Sequence, residues 1–125
     1  GGFMNYLAVL VGGGIGALIR YIFASLVQKY VPNFPLGTFL INVSGAFAIG
    51  FLSVYLAETL NTPPSVRLLL ITGVLGGYTT FSTFTLEGFG LLAEGQYLKA
   101  LYYILGTNIL GFLFVWLGRI IGERL

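Results

Sequence analysis

Apolar residues in this chain run in long unbroken stretches, and the charged side chains fall between them. Lys29 and Glu58 are separated by 28 uncharged residues, Arg67 and Glu87 by 19, Lys99 and Arg119 by another 19, and nothing before Arg20 is charged. About 20 apolar residues in helical form cross a bilayer core. The pattern therefore predicts four transmembrane helices near 4–28, 36–57, 67–91 and 98–121. The connections fit this division. Val31-Pro32-Asn33-Phe34-Pro35 and Asn61-Thr62-Pro63-Pro64 are breakers, and Glu94-Gly95-Gln96 is a short polar turn. The first stretch is too long and too glycine-rich for a cleaved signal, and no small-residue cleavage site follows it. Gly1-Gly2-Phe3, ahead of Met4, is read as an added tail and kept out of the fold reasoning.

Composition agrees and narrows the choice. Hydrophobic residues make up 57% of the 125 and charged residues only 8%, against about 25% charged in an ordinary soluble domain. Mean hydropathy is +0.94. The expectation is an all-α membrane protein with a single four-helix transmembrane domain over residues 1–125. No His, Cys or Asp is present, which excludes Cys/His zinc sites, thiol chemistry and Ser-His-Asp triads. The chain is not expected to be an enzyme. Its six Lys and Arg residues are scattered singly, so there is no nucleic-acid footprint.

Nineteen glycines in such a chain point to close helix packing, because small residues four apart let backbones approach in lipid. Gly12/Gly16, Ala46/Gly50, Gly73/Gly77 and Gly118/Gly122 have that spacing. Four short helices enclose little space, however, so a pathway calls for a second subunit. Two motif matches are coincidental. Gly12 to Ala17 fits a dinucleotide fingerprint but lies inside an apolar span, where the required preceding strand is missing. Asn42-Val43-Ser44 fits a glycosylation sequon at mid-span, out of reach of any transferase.

The remaining polarity is uncharged and concentrated in the third span. Tyr78 to Thr85 holds six hydroxyls, two phenylalanines and no aliphatic side chain, just after Gly76-Gly77. Glycines followed by β-branched threonines make a poor helix interior. Non-helical backbone at membrane depth is tolerated where it is buried in protein or lines a cavity. A broken third helix at a binding site is expected, in preference to a kinked one whose threonines bond their own carbonyls. Phe81 and Phe84, three apart, would share a helical face and turn positive ring edges toward a small anion. Asn42 offers amide donors, and Tyr103 and Thr107 place hydroxyls on one stripe of the fourth span, with Asn108 on an adjacent face. Donors without a carboxylate suggest an anion path, and weak individual partners suit conduction.

Gly13-x-x-Gly16-Ala17-x-x-Arg20-Tyr21, Gly37-Thr38-x-x-x-Asn42-x-x-Gly45 and Gly73-x-x-Gly76-Gly77-x-Thr79-Thr80-Phe81-Ser82-Thr83-Phe84 together resemble the CrcB/Fluc family of small fluoride channels. The third motif is the specific one. The resemblance covers the chain from Met4 and implies an antiparallel, dual-topology homodimer with two fluoride pores and one central structural sodium ion. It implies that Phe81 and Phe84 are the pore phenylalanines and that Asn42 donates to fluoride. By the same resemblance the backbone carbonyls of Gly76 and Thr79 hold the sodium, Ser82 and Thr83 neighbour the path, and Arg20 lies near a vestibule. Glu87 either faces a pore mouth or is a solvated helix end. The implied partners are fluoride, a second copy of the chain and membrane lipid; the implied location is the cell inner (plasma) membrane, as a multi-pass protein.

Charge counting is compatible with dual topology. Arg67, Arg119 and Arg124 lie on the N-terminal side, against Lys29 and Lys99 on the other, or three there if Arg20 is counted. Such a small bias predicts insertion in both orientations. Two rivals remain to be set against the channel. A proton-coupled multidrug exporter of similar size needs a carboxylate in its first helix, and Met4 to Gln28 has none. A non-conducting assembly subunit would not need the polar Thr79-to-Thr85 segment.

Overall fold

A computed structural model describes all 125 residues and is entirely helical. Helix α1 spans Gly2–Tyr30 and α2 spans Leu36–Val54, the latter continuing through a wider i→i+5 turn over Tyr55–Thr59. The third span begins at Pro64, where a proline suits the first helical turn. Its first half, α3 (residues 64–78), is α-helical at Pro64–Arg67, wide-turned over Leu68–Leu75 and α-helical again at Gly76–Tyr78. Thr79 and Thr80 are extended, and α4 then runs Phe81–Ala93. Helix α5 spans Tyr97–Arg124. Four segments, Gly2–Tyr30, Leu36–Thr59, Pro64–Ala93 and Tyr97–Arg124, are long and apolar enough to cross a membrane.

The turn between α4 and α5 shows how local chemistry ends a helix. Gly95 adopts φ +76, its N–H bonds the Leu92 carbonyl at 3.0 Å, and the Gln96 N–H reaches back to the Leu91 carbonyl at 2.9 Å. This paired return closes a helix C-terminus with a left-handed residue, the conformation glycine adopts without strain.

The glycines pair the helices. Helix α1 lies along α3, and α2 lies along α5. A Cβ added at Gly12 would strike the Leu69 carbonyl, one at Gly16 the Val74 carbonyl, and one at Gly77 the Gly13 carbonyl. On the other side, Gly50 abuts the Val115 carbonyl and Gly118 the Phe47 carbonyl. Each pair of spans is thus held at backbone contact, where any side chain would force it apart. The large side chains gather at the end where α4 meets α5: Phe84, Leu91, Ala100 and Tyr103 form a buried cluster, with Phe34, Phe39 and Ile104 against it. Much of the remaining apolar surface, including Phe3, Leu10, Leu86, Phe89 and Phe112, faces outward, as lipid contact requires.

Candidate functional site

The extended pair Thr79–Thr80 redirects the backbone bonds that a continuous helix would close. The Thr79 N–H still reaches the Leu75 carbonyl at 3.0 Å, and its hydroxyl donates to the same oxygen at 2.9 Å. At ψ 158 the chain then leaves the helix. The Thr80 N–H, which would have bonded the Gly76 carbonyl, donates instead to Asn42 Oδ1 at 2.9 Å. Asn42 Nδ2 returns a bond to the Thr80 carbonyl at 3.0 Å. The Thr83 N–H, which would have bonded the Thr79 carbonyl, is taken by the Thr80 hydroxyl at 3.3 Å. Thr80 is thereby the N-cap of α4, a role that suits its side chain and its extended backbone. Arg20 Nε donates to the Gly77 carbonyl at 3.0 Å. The N–H groups that helical continuity would aim at Gly76 and Thr79 have therefore been drawn to other acceptors.

A cavity of about 250 Å³ lies at this joint, lined by Asn42, Thr79, Thr80, Phe81, Phe84, Thr107 and Asn108. No charged side chain lines it. The N-terminus of the thirteen-residue α4 begins at Phe81 on its wall, contributing partial positive charge. The Thr107 hydroxyl is shut off from solvent without any hydrogen-bond partner. A buried hydroxyl in that state is a donor waiting for an acceptor. Phe81 and Phe84 stand 6.0 Å apart by ring centroid at an angle of 52°. Their environments differ sharply: Phe81 is 76% exposed on the protomer, whereas Phe84 is 8% exposed and packed 5.1 Å from the Tyr103 ring. A shared helical face does not make them equivalent.

The fold brings Asn42, Thr79, Phe81, Phe84 and Thr107 to one cavity, with Tyr103 one ring beyond Phe84, and places the other candidates away from it. Tyr103, one helical turn from Thr107, lies in the buried cluster against Phe84, and its hydroxyl donates to Glu87 Oε1 at 2.9 Å. That bond draws Glu87 inward, although its carboxylate also borders an outer depression beside Phe34, Glu94 and Lys99. Arg20 is engaged with α3 through the Gly77 carbonyl and lines neither hollow. Ser82 is exposed, and Thr83 serves the α4 cap by accepting from the Thr80 hydroxyl at 3.2 Å. Gly76 is exposed and shares with Thr79, Asn42 and Gly45 a groove of about 530 Å³ on the outer face of the protomer. Asn108, assigned by helical spacing to an adjacent face, lines the joint cavity with Thr107.

Two residues named in the sequence take roles that sequence reasoning did not give them. Thr80, part of the third motif, is both clamp and cap, and the signal for the cap is a threonine three residues ahead of Thr83, at capping distance. Asn108 has no signal beyond being a mid-span amide.

Comparison with known proteins agrees with these features. The family model described as "CrcB-like protein, Camphor Resistance (CrcB)" matches residues 7–119. The chain is 71% identical over 122 residues to a protein of Hydrogenobaculum sp. (strain Y04AAS1) named "Fluoride-specific ion channel FluC", covering 98% of this chain and 100% of that one. A protein of the same name from Aquifex aeolicus (strain VF5) is 51% identical, covering 94% of this chain and 96% of its own length. A third, from Solibacter usitatus (strain Ellin6076), is 43% identical over 97% of this chain and 100% of its own length. With four apolar spans, a joint without formal charge and likeness along nearly its whole length, this chain is a multi-pass membrane protein that belongs to the CrcB family.

Proposed function

We propose that the chain is a passive fluoride channel of the plasma membrane, working as an antiparallel homodimer with two pores and a central structural sodium ion. The observation that carries this reading is the joint cavity, where amide and hydroxyl donors meet two phenylalanines and no carboxylate. Relatives named as fluoride-specific channels at 71% and 51% identity support it.

The chemistry follows from the side chains. Fluoride is small and strongly hydrated, so a pore must replace water with donors it can leave again. The Asn42 amide has one hydrogen on the Thr80 carbonyl and a second available. The Thr107 hydroxyl has no competing partner. Ring edges of Phe81 and Phe84 add weak positive potential without the trap a lysine would make. Phe81, exposed on one protomer, would meet the pore surface of a second copy. On this reading the third span works as a broken helix.

The sodium ion is a matter of fit, and the donor set fits. Gly76 and Thr79 carbonyls lose their helical donors at the joint and border the outer groove, and unwound carbonyls of this kind suit a sodium ion. A twofold axis in the membrane plane would bring two such pairs together. When bound, the ion would add a fixed positive charge that ties the two joints to each other.

Export needs no energy source. Hydrogen fluoride crosses lipid undissociated and ionises in a more neutral cytoplasm. A negative-inside potential then drives the anion outward with about 2.3 kcal/mol per 100 mV. Purified protein in liposomes should release fluoride rapidly and chloride at background. Absence of fluoride flux, or chloride flux equal to it, refutes the reading.

A further inference from the structure

Phe81, Phe84, Tyr103 and Phe34 form a continuous aromatic file, with successive ring centroids 6.0, 5.1 and 5.6 Å apart. Its inner end is the joint cavity. Its outer end, Phe34, lines a polar depression of about 420 Å³ that also takes in Asn33, Glu87, Glu94, Gln96 and Lys99. The depression sits at one end of the bundle, where the 31–35 connection meets the turn between α4 and α5.

Lys99 is the only cation in that depression. Its Nζ donates to the Asn33 carbonyl at 3.1 Å, so the ammonium is held in place while keeping its charge. Neither carboxylate neutralises it. Glu87 receives the Tyr103 hydroxyl at 2.9 Å, Glu94 receives the Gln96 amide at 2.9 Å, and the one ion pair in the protein is Arg119–Glu123. An anion arriving here meets two carboxylates that repel it and one ammonium that attracts it.

We infer that this depression is the mouth through which fluoride reaches the aromatic file, and that Lys99 steers the anion in against the opposing charge of Glu94. The inference rests on the channel reading above and adds to it the residues that set capture. With two carboxylates against one ammonium the recess is net negative, so losing the ammonium would leave the carboxylates unopposed, lowering the local anion concentration and hence the entry rate. That loss leaves passage past the joint unaltered.

The test compares wild type, Lys99→Gln, Lys99→Arg and Glu94→Gln in liposomes at subsaturating fluoride, with sodium constant and an impermeant-anion salt varied. At about 0.01 M ionic strength, where the Debye length is about 30 Å, Lys99→Gln should lower flux about threefold and Glu94→Gln raise it about twofold. Lys99→Arg should match wild type. At about 1 M, where the Debye length is about 3 Å, all four should converge. They should also converge at saturating fluoride. Wild-type flux for Lys99→Gln at low ionic strength overturns the inference. So does a loss of the same size at both salt concentrations, which would make Lys99 a staple between α5 and the 31–35 connection. Unchanged size-exclusion elution separates either result from misfolding. A wild type without fluoride flux refutes the channel reading itself, whereas fluoride flux with salt-independent variants refutes only the mouth.

Discussion

Asn42 and Thr80, 38 residues apart in the chain, exchange two hydrogen bonds: the Thr80 N–H donates to Asn42 Oδ1 at 2.9 Å, and Asn42 Nδ2 donates to the Thr80 carbonyl at 3.0 Å. One amide side chain thus satisfies both backbone groups of the residue that leaves the helix. The extended conformation needs this partner, because an unpaired backbone group at membrane depth is costly.

Asn42→Asp retains the acceptor for the Thr80 N–H and removes the donor to the Thr80 carbonyl. The carboxylate would face a carbonyl oxygen and stand in the anion path. Fluoride flux should fall at least about tenfold, consistent with the roughly 1–3 kcal/mol cost of one unsatisfied buried group. Unchanged flux in reconstituted protein would remove Asn42 from both roles.

Phe81→Ile and Phe84→Ile should both abolish fluoride flux, since each loses a positive ring edge. Their stabilities should part. Phe84 packs against Tyr103, so its loss should cost about 1–2 kcal/mol in thermal unfolding. Phe81 is exposed on the protomer, so its replacement should cost the packing of the protomer less than that of Phe84 does. Wild-type flux in both variants would leave the pair a packing feature only.

Gly16→Ala should break the packing of α1 on α3, because the added methyl would overlap the Val74 carbonyl. Backbone cannot swing aside as a long side chain can. Gly13→Ala should be tolerated, since its nearest neighbour, the Gly73 carbonyl, lies 4.0 Å from the new Cβ. Size-exclusion profiles and fluoride flux distinguish the two; equal behaviour would count against the close approach of these helices.

Replacing sodium with a large organic cation should weaken flux slowly, as a structural site empties, and sodium should restore it. If flux instead tracked an imposed sodium gradient, sodium would be a transported partner and the passive channel reading would fall.

The chain's own pattern determined the four spans and their connectors. Expected limits of 36–57 and 98–121 compare with Leu36–Thr59 and Tyr97–Arg124, and the charged and proline-rich gaps fall where the helices end. These features are legible because span length, charge exclusion and proline stereochemistry act within a few residues. The glycine spacing likewise marked faces that pack, such as Gly12/Gly16 and Gly73/Gly77. Which face meets which was decided only when α1 settled on α3 and α2 on α5. Hydrogen-bond partners belong to that second level. Helical spacing put Tyr103 and Thr107 on one stripe, and the packing of α5 then gives each its own surroundings: Tyr103 is buried against Glu87, while Thr107 lines the joint with Asn108. Arg20 could be read as a lone cation in a span, but its hold on the Gly77 carbonyl depends on α1 and α3 meeting at backbone contact. A donor's partner is set by distances across helices, and no local pattern encodes those.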